Sequence, residues 1–135
     1  MTITSNQHSI LKDKLQIVTP TEVKQRMAKG DTFVVNVVTA WCPDCTERQQ
    51  PYMQDFVEAL TAHHIEVLQL NVQLSKGDFI TAEHQQLTQQ FGGPGYPRTV
   101  LIKQGEIVDQ NNVEVITYNA LIELSQHFIK ISAQA

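Results

Sequence analysis

The chain contains little cysteine and no long hydrophobic run, and each shortage excludes a class of structure. Only two of its 135 residues are cysteines. Structural zinc normally takes four Cys or His ligands, so this pair alone argues against a structural zinc site. No apolar run approaches the roughly 20 residues that a membrane-spanning helix needs. The sequence therefore predicts a protein with no membrane partner.

Positive charge is also in short supply. The chain has 10 Lys and Arg residues against 14 Asp and Glu residues, which gives a formal net charge of −4. Nucleic-acid-binding domains usually present a basic face, so we expect no nucleic-acid partner. The sequence also begins without the basic start and the apolar stretch of a secretory leader, which predicts a cytoplasmic location.

The length and the hydrophobic fraction of 41% suit one compact domain. We expect residues 1–14 to be a polar N-terminal arm and residues 15–135 to form a single domain. Hydrophobic periodicity and turn residues predict strands at 15–18, 33–39, 65–72, 98–102 and 106–108, and helices at about 19–30, 43–63, 81–91 and 118–131. The order β-α-β-α-β-α-β-β-α predicts an α/β fold with a mixed central sheet flanked by helices on both faces.

The two cysteines follow a strand almost directly. The predicted strand at 33–39 leads into Trp41-Cys42-Pro43-Asp44-Cys45. If a helix begins there, both sulfurs lie on one face of its first turn, where unpaired N–H groups and the helix dipole favour a thiolate. A thiolate at such a position is what reversible dithiol–disulfide exchange requires. The pattern predicts a thiol–disulfide oxidoreductase.

Two other functions use the same part of the chain. Two molecules could share a metal ion through their paired thiols, although no histidine is placed to join them. His63 and His64 are adjacent, so on a helix they point in different directions, and the other three histidines are isolated. Alternatively, the surface around Trp41, Tyr96 and Pro97 could bind a partner while the cysteines stay almost silent. We assign no metal ligand.

A combination of features resembles the thioredoxin family over residues 15–131. It consists of the order of elements, Trp-Cys-x-x-Cys after the second strand, and Tyr96-Pro97 before a hairpin. The Pro43-Asp44 pair between the cysteines is similar to that of small thioredoxin-related proteins with the sequence WCPDC. The resemblance implies a thioredoxin-like fold and disulfide reduction.

The resemblance also implies a role for each of five residues. Cys42 would be the exposed nucleophile that attacks a substrate disulfide, and Cys45 the buried thiol that resolves the mixed disulfide. Trp41 would offer the substrate an apolar surface. Pro97 matches the family's cis-proline, so the backbone of Tyr96 would pair with a substrate strand. No bound cofactor is needed; the substrate would be a disulfide-containing protein or a small thiol compound, and electrons would come from a thioredoxin reductase or glutathione.

Two neutral residues stand where the family often carries a buried charged pair. Asn36 lies six residues before Cys42, where many thioredoxins have an Asp that assists proton transfer to the resolving cysteine. Gln69 falls where they often have the Lys that faces this Asp. Losing both charges leaves no unpaired buried ion, so the change is structurally tolerable. Because it also removes the obvious general base and leaves water or Asp44 to move the proton, we expect slower dithiol exchange.

Three further residues leave alternatives open. The Asp44 carboxylate either opposes the Cys42 thiolate or complements the dipole of the helix. Pro51 should kink the helix, and it sits one residue further from the motif than the family's proline, so we expect a local bulge or a shifted helix start. Arg98, at the start of a strand near the site, either steadies the Cys42 thiolate or an anionic substrate, or points to solvent. Glutaredoxins often show a similar Pro-Arg step, which raises glutathione mixed disulfides as substrates, but this chain lacks their Gly-Gly and acidic pair after the hairpin strand.

Overall fold

The computed structural model describes residues 15–134, so the polar arm predicted for residues 1–14 lies outside the described residues. The centre of the fold is a sheet of six strands: β1 (Gln16–Ile17), β2 (Phe33–Thr39), β3 (Glu66–Ser75), β4 (Asp78–Phe79), β5 (Arg98–Lys103) and β6 (Glu106–Val113). The strands lie in the order β1-β3-β2-β5-β6, and β4 pairs with the last residues of β3. Because β2 is parallel to β3 and antiparallel to β5, the predicted mixed sheet is confirmed.

The described residues also contain the α-helices α1 (Pro20–Ala28), α2 (Met53–Thr61), α3 (Ala82–Gln90) and α4 (Tyr118–Ala133). Three of them begin after a threonine whose hydroxyl accepts a hydrogen bond from the backbone three residues on: Thr19, Thr81 and Thr117. At α1 the cap is reciprocal, since the Glu22 carboxylate accepts from the Thr19 backbone N–H at 2.9 Å. No helix among residues 15–134 has both the length and the apolar character to span a bilayer.

Apolar side chains pack on both faces of β2, which lies in the middle of the sheet. Phe33 and Val35 belong to a core that α1 and α3 close, whereas Val34 packs with Phe56 of α2 and Phe128 of α4. All five side chains are fully buried. Burial of each contributes about 1.5–3 kcal/mol to folding. The helices therefore lie on both faces of the sheet, as predicted.

The single helix predicted for residues 43–63 is wrong. Asp44–Gln49 forms a π-helical turn, Gln50–Tyr52 forms a 3₁₀ turn, and only α2 is α-helical. Pro51 has no N–H to donate, and its ring clashes with the preceding turn, so a regular α-helix cannot pass through it. The proline divides the segment rather than bending it.

Strand pairing extends further than the hydrophobic pattern indicated. β3 continues to Ser75 and β6 to Val113. Residues 75–78 close a hairpin between β3 and β4, in which Gly77 has a φ of 86°. Such a positive φ favours glycine because it has no Cβ. Residues 73–79 are called the β3–β4 hairpin below, since they form one wall of the candidate active site.

Candidate active site

The two cysteines lie where β2 gives way to the π-helical turn. The backbone N–H groups of Cys45 and Thr46 both donate to Cys42 O at 3.0 Å, which closes the first turn. Both thiols are free. Cys42 is 8% exposed and Cys45 is 3% exposed. The expectation of an exposed Cys42 is therefore wrong: it packs in the same apolar cluster as Tyr96 and is only the less buried of the two thiols.

The loop before β5 brings a backbone carbonyl to Cys42. The Tyr96–Pro97 peptide bond is cis, as the resemblance implied. The Cys42 thiol donates to Tyr96 O, with a distance of 3.8 Å between Sγ and O. The thiol and a backbone segment that could pair with a substrate thus lie side by side.

The Trp41 ring forms one wall of the site. It meets the Tyr96 ring edge to face with the centroids 6.2 Å apart, and Lys76 Nζ lies 5.4 Å from its centre. The indole Nε1 donates to Gln73 Oε1 at 2.9 Å, and the same oxygen accepts from the Gly77 backbone N–H at 3.0 Å. One amide oxygen therefore ties Trp41 to the tip of the β3–β4 hairpin.

A groove of about 500 Å³ runs past Cys42, and we call it the active-site groove. Aromatic side chains and charged side chains of both signs line this groove. The lining side chains include Trp41, Cys42, Asp44, Gln73, Lys76, Phe79, Tyr96 and Glu114. Pro97 is buried and does not line it. The contribution of the β3–β4 hairpin was not predicted, although Gly77 between two strand-prone segments is a hairpin signal.

Cys45 lies in surroundings that oppose its ionisation. Burial is the main cause that raises the pKa of Cys45 to about 12, and the neighbouring Cys42 raises it further. Thr39 acts in the opposite direction through both its backbone and its side chain. The resolving thiol therefore holds its proton firmly in the dithiol state, and its attack requires that the proton leave.

Asn36 and Gln69 are register partners on β2 and β3, and Asn36 Nδ2 lies 3.5 Å from Gln69 Oε1. The fully buried Asn36 also donates to Gln49 Oε1 at 2.8 Å and accepts from Thr99 Oγ1 at 3.1 Å. Gln49 Nε2 in turn donates to Val115 O at 3.0 Å. These four side chains (Asn36, Gln49, Gln69 and Thr99) are called the amide cluster. Gln49 and Thr99 were not among the predicted site residues. Thr99 is the partner of Asn36 on β5, which only the strand register reveals.

A model of the thioredoxin family matches residues 14–126. The chain belongs to the thioredoxin family. Its fold matches thioredoxin f from spinach chloroplast at a TM-score of 0.60, with 20% identity over 86% of this chain and 94% of that chain. A Malassezia sympodialis thioredoxin matches at 0.64, with 16% identity over 86% and 91%. A mutant thioredoxin from Halobacterium salinarum matches at 0.62, with 21% identity over 91% and 95%. Comparison with curated protein sequences gave no significant match. The predicted thioredoxin-like fold is confirmed.

The π-helical turn accounts for the position of Pro51 in this thioredoxin-family chain. A π-turn closes its hydrogen bond over one more residue than an α-turn, so it absorbs the extra residue between the motif and the proline. The expected local bulge is confirmed. Gln49, the last residue of this turn, is 1% exposed and belongs to the amide cluster.

Asp44 and Pro43 lie at the start of the turn. Asp44 Oδ1 accepts from Arg48 Nη1 at 2.6 Å, an ion pair four residues apart on the same turn. Pro43 is exposed and precedes the first turn at a φ of −62°. A carboxylate there complements the unpaired N–H groups of a helix start. The geometry favours this role of Asp44, and an effect on the Cys42 thiolate stays a prediction.

One of the alternatives that the sequence left open for Arg98 is wrong, and a role towards an anionic substrate stays a prediction. It does not point to solvent, since it is 7% exposed. Its Nη1 donates to Gln110 O and its Nη2 to Pro94 O, both at 2.8 Å, so its guanidinium is bound to backbone carbonyls rather than to the Cys42 thiol. A Cβ at Gly92 would lie 2.7 Å from Nη1, so glycine makes room for it. Arg98 anchors the loop that precedes Tyr96.

Within the described part of the chain, no three His, Cys, Asp or Glu side chains lie close enough together to hold a metal ion. A metal bound through Cys42 and Cys45 would need ligands from a second molecule to complete four-coordinate zinc.

Proposed function

We propose that the chain is a thiol–disulfide oxidoreductase that reduces disulfides of proteins or small molecules through Cys42 and Cys45. The observation that carries this proposal is the position of Cys42, on a first helical turn, 3.8 Å from Tyr96 O and at the floor of the active-site groove. A disulfide that enters the groove reaches the thiol beside a backbone segment with which it can pair. Membership of the thioredoxin family supports the same class of chemistry.

The reaction begins at Cys42. Its thiolate attacks one sulfur of the substrate disulfide; a bond forms between the two sulfurs, and the other substrate sulfur leaves as a thiolate that takes a proton from water. Cys45 then loses its proton, and its thiolate attacks Cys42 Sγ. The mixed disulfide breaks, the second substrate thiolate leaves and is protonated, and a Cys42–Cys45 disulfide remains. Two electrons have passed to the substrate.

The burial of Cys42 restricts the approach of substrates. Because only 8% of this residue is exposed, a disulfide must come through the active-site groove, between the Trp41 and Tyr96 rings and the β3–β4 hairpin. The aromatic walls suit the apolar residues that flank a disulfide in an extended segment, and the Tyr96 and Pro97 backbone positions that segment.

The Cys42–Cys45 disulfide must be reduced again, and we propose a thioredoxin reductase or glutathione as the electron donor. One similar structure is a complex of ferredoxin:thioredoxin reductase with thioredoxin f2, and another concerns thiol resolution in a yeast mitochondrial 1-Cys peroxiredoxin through glutathione and thioredoxin systems. These support a reductase and a disulfide-containing protein as classes of partner. The chemistry needs no bound cofactor. A cytoplasmic location fits, because a disulfide reductase works where thiol donors are abundant.

Single serine variants test the dithiol mechanism. Cys42→Ser should abolish reduction of a protein disulfide, because no nucleophile remains. Cys45→Ser should stop after the first step, and intact-mass measurement should find the substrate joined to Cys42. Thr88→Val, which changes a buried threonine whose hydroxyl donates to His84 O, is the control and should react at the parental rate. Turnover at the parental rate in either cysteine variant would contradict the mechanism.

A binding module is the second candidate, and the size and aromatic walls of the active-site groove favour it. In that case Trp41 and Tyr96 hold a partner segment without any change in its disulfides. The double variant Cys42→Ser/Cys45→Ser separates the two functions. A binding module keeps its partner in a pull-down with the double variant, whereas a reductase loses all activity.

A further inference from the structure

We propose that the Thr39 hydroxyl donates a hydrogen bond to the Cys45 thiolate during the resolving step, and that the cavity behind Cys45 carries the released proton away. The proposal rests on the disulfide exchange proposed above. It assigns a catalytic role to the last residue of β2, directly behind the reacting thiol.

The Thr39 side chain is in an unfavourable place for a hydroxyl in the dithiol state. Thr39 is fully buried, and its Oγ1 has no hydrogen-bond partner among the described residues. A buried hydroxyl without a partner destabilises a folded protein. Valine has nearly the same shape, favours a strand equally and carries no polar atom. The hydroxyl therefore has no partner among the described side chains in the dithiol state, and a charged acceptor in another state would suit it.

The Cys45 thiolate is that partner. Thr39 and Cys45 line the same cavity, and the Thr39 side chain is close enough to lower the pKa of Cys45. A thiol is a weak hydrogen-bond acceptor, whereas a thiolate carries a full charge and binds a donor strongly. The hydroxyl thus gains a strong, charge-assisted hydrogen bond as Cys45 ionises.

The resolving attack is the step at which this hydrogen bond matters most. In the dithiol state, Cys42 raises the pKa of Cys45 through its charge and through a hydrogen bond between the two sulfurs. Both effects end when Cys42 is bonded to a substrate sulfur. Burial then remains as the main obstacle to the Cys45 thiolate, and Thr39 opposes it directly.

The cavity behind Cys45 offers the proton a way out. Its volume is about 210 Å³, enough for several water molecules at about 30 Å³ each. Gln69 and Asn71 contribute polar groups to its wall, and Asn71 Oδ1 is buried without a hydrogen-bond partner among residues 15–134. A water bonded to Asn71 can accept the proton and pass it outward.

No charged side chain competes for this proton at the cavity. None of the residues that line it carries a charge, and the titratable groups that interact with Cys45 are Cys42 and Tyr96. The amide cluster around Asn36 is neutral too. The Thr39 hydroxyl and cavity water therefore take over the task of a buried carboxylate.

Thr39→Val and Thr39→Ser test the proposal in the full-length chain. The probe is dithiobis(nitrobenzoate), an aromatic disulfide whose released thiolate is coloured. Stopped-flow absorbance separates two phases: Cys42 releases the first thiolate, and Cys45 releases the second by attacking the mixed disulfide. The pH at which the second phase reaches half its maximal rate reports the pKa of Cys45 in that state.

Thr39→Val should shift this midpoint upward by about one pH unit and leave the first phase unchanged. A one-unit shift lowers the thiolate fraction about tenfold at neutral pH. Because a more basic thiolate is a better nucleophile, the second phase should slow by about threefold rather than tenfold. Thr39→Ser keeps the hydroxyl and should keep the parental midpoint.

Two controls separate a role in the reaction from a role in folding. Thr39→Val should unfold at the same temperature as the parent or higher, because it removes an unpaired polar atom, while Thr88→Val should lower the unfolding temperature and leave both phases unchanged. If the valine variant does not fold, Thr39→Ala provides the same comparison of midpoints. An unshifted midpoint in the variant without the hydroxyl would overturn the role of Thr39 but not the proposed disulfide exchange. Release of a single thiolate by the parent would instead overturn the dithiol function itself.

Discussion

The polar side chains of the amide cluster satisfy one another without any charge. Asn36 donates to Gln49 and accepts from Thr99, so both ends of its side chain are occupied although it is fully buried. A buried ion pair would have to recover a large desolvation cost, which neutral amides avoid. The same neutrality leaves the cavity behind Cys45 without a carboxylate base in its lining. A neutral residue at position 36 thus avoids the cost of a buried charge but removes a base that would speed proton transfer.

Asn36→Asp should accelerate the resolving step and make folding sensitive to pH. The carboxylate can still accept from Thr99 Oγ1, and from Gln49 or Gln69 once their amides rotate, but it faces no cation. Burial then raises its pKa, and each unit of the rise lowers stability by about 1.4 kcal/mol once the group is ionised. Stability should therefore fall as pH rises from the acidic range through that pKa. Chemical unfolding at a series of pH values measures this fall in stability. The release of the second thiolate from dithiobis(nitrobenzoate) should become faster by about tenfold or more.

The double variant Asn36→Asp/Gln69→Lys is the matched control. It restores the charged pair at two positions that are register partners on β2 and β3. The ammonium compensates the carboxylate, so the double variant should recover part of the stability that the single variant loses at neutral pH. A single variant with a pH-independent unfolding free energy and an unchanged exchange rate would contradict this account.

The β3–β4 hairpin extends the site beyond the cysteine motif. It adds Lys76 and Phe79 to the wall of the active-site groove, and Gln73 fastens it to Trp41. The hairpin is short and its tip is exposed, so its position depends on such tertiary contacts rather than on its own strand pairing. The hydrogen bonds of the Gln73 side chain therefore help to shape the groove.

Gln73→Ala should loosen both the hairpin and the Trp41 ring. The change leaves the Trp41 and Gly77 N–H groups without their acceptor, and the loss of two hydrogen bonds should lower stability by about 1–3 kcal/mol. We expect the KM for a protein disulfide to rise severalfold, with a smaller change in kcat. Trp41 is the only tryptophan, so its fluorescence reports the local change directly.

Gln73→Glu is the conservative control for this effect. A carboxylate oxygen can accept from both N–H groups at the same position, so KM and the Trp41 emission maximum should stay close to the parental values. If Gln73→Ala leaves both readouts at parental values, the hairpin has no part in shaping the groove.

Elements that depend on local sequence signals could be predicted from the sequence, whereas those that depend on contacts with distant residues could not. Thr19 caps the start of α1, and Gly30 follows shortly after its end. The sequence predicted the limits of this helix well, because capping depends on residues that are close in the sequence. The helical spacing of Phe56, Val57 and Leu60 falls within α2, the one part of the helix predicted for residues 43–63 that is α-helical. The sequence indicated the π-turn before α2 only through the extra residue ahead of Pro51. The formation of its i→i+5 hydrogen bonds depends on packing against β2, which the sequence does not reveal.

Across the whole molecule, the cysteine pair and the Tyr96-Pro97 loop could be found from short motifs and their order along the chain. The partners of these motifs could not. Gln49 reaches Asn36 through the π-turn, and Gln73 reaches Trp41 through a hairpin at the end of β3, so both contacts depend on register and on long-range packing. Thr39 has the sequence pattern of an ordinary strand residue, and only the structure shows that its hydroxyl has no partner among residues 15–134.

The molecule as a whole should be a reductant rather than an oxidant. Strongly oxidising dithiols owe their potential to a reduced form that is specially stabilised, whereas Cys45 gains no such stabilisation because burial holds its proton in place. We expect a reduction potential nearer to the roughly −270 mV of thioredoxin than to the roughly −120 mV of a strong oxidant. Equilibration in defined thiol buffers, followed by alkylation and mass measurement, gives the value. A potential near −120 mV would contradict the assignment as a reductase.

The pH dependence of that potential tests the burial of Cys45 independently. While both thiols are protonated, reduction takes up two protons with two electrons, so the potential should fall by about 59 mV per pH unit. Once the first thiol ionises, one proton is taken up and the slope should halve to about 30 mV. Because burial raises the pKa of Cys45 above that of an ordinary thiol, this second slope should continue well beyond about pH 9. A potential that becomes independent of pH near pH 9, roughly the range of an unperturbed thiol, would show that Cys45 is not shielded from water.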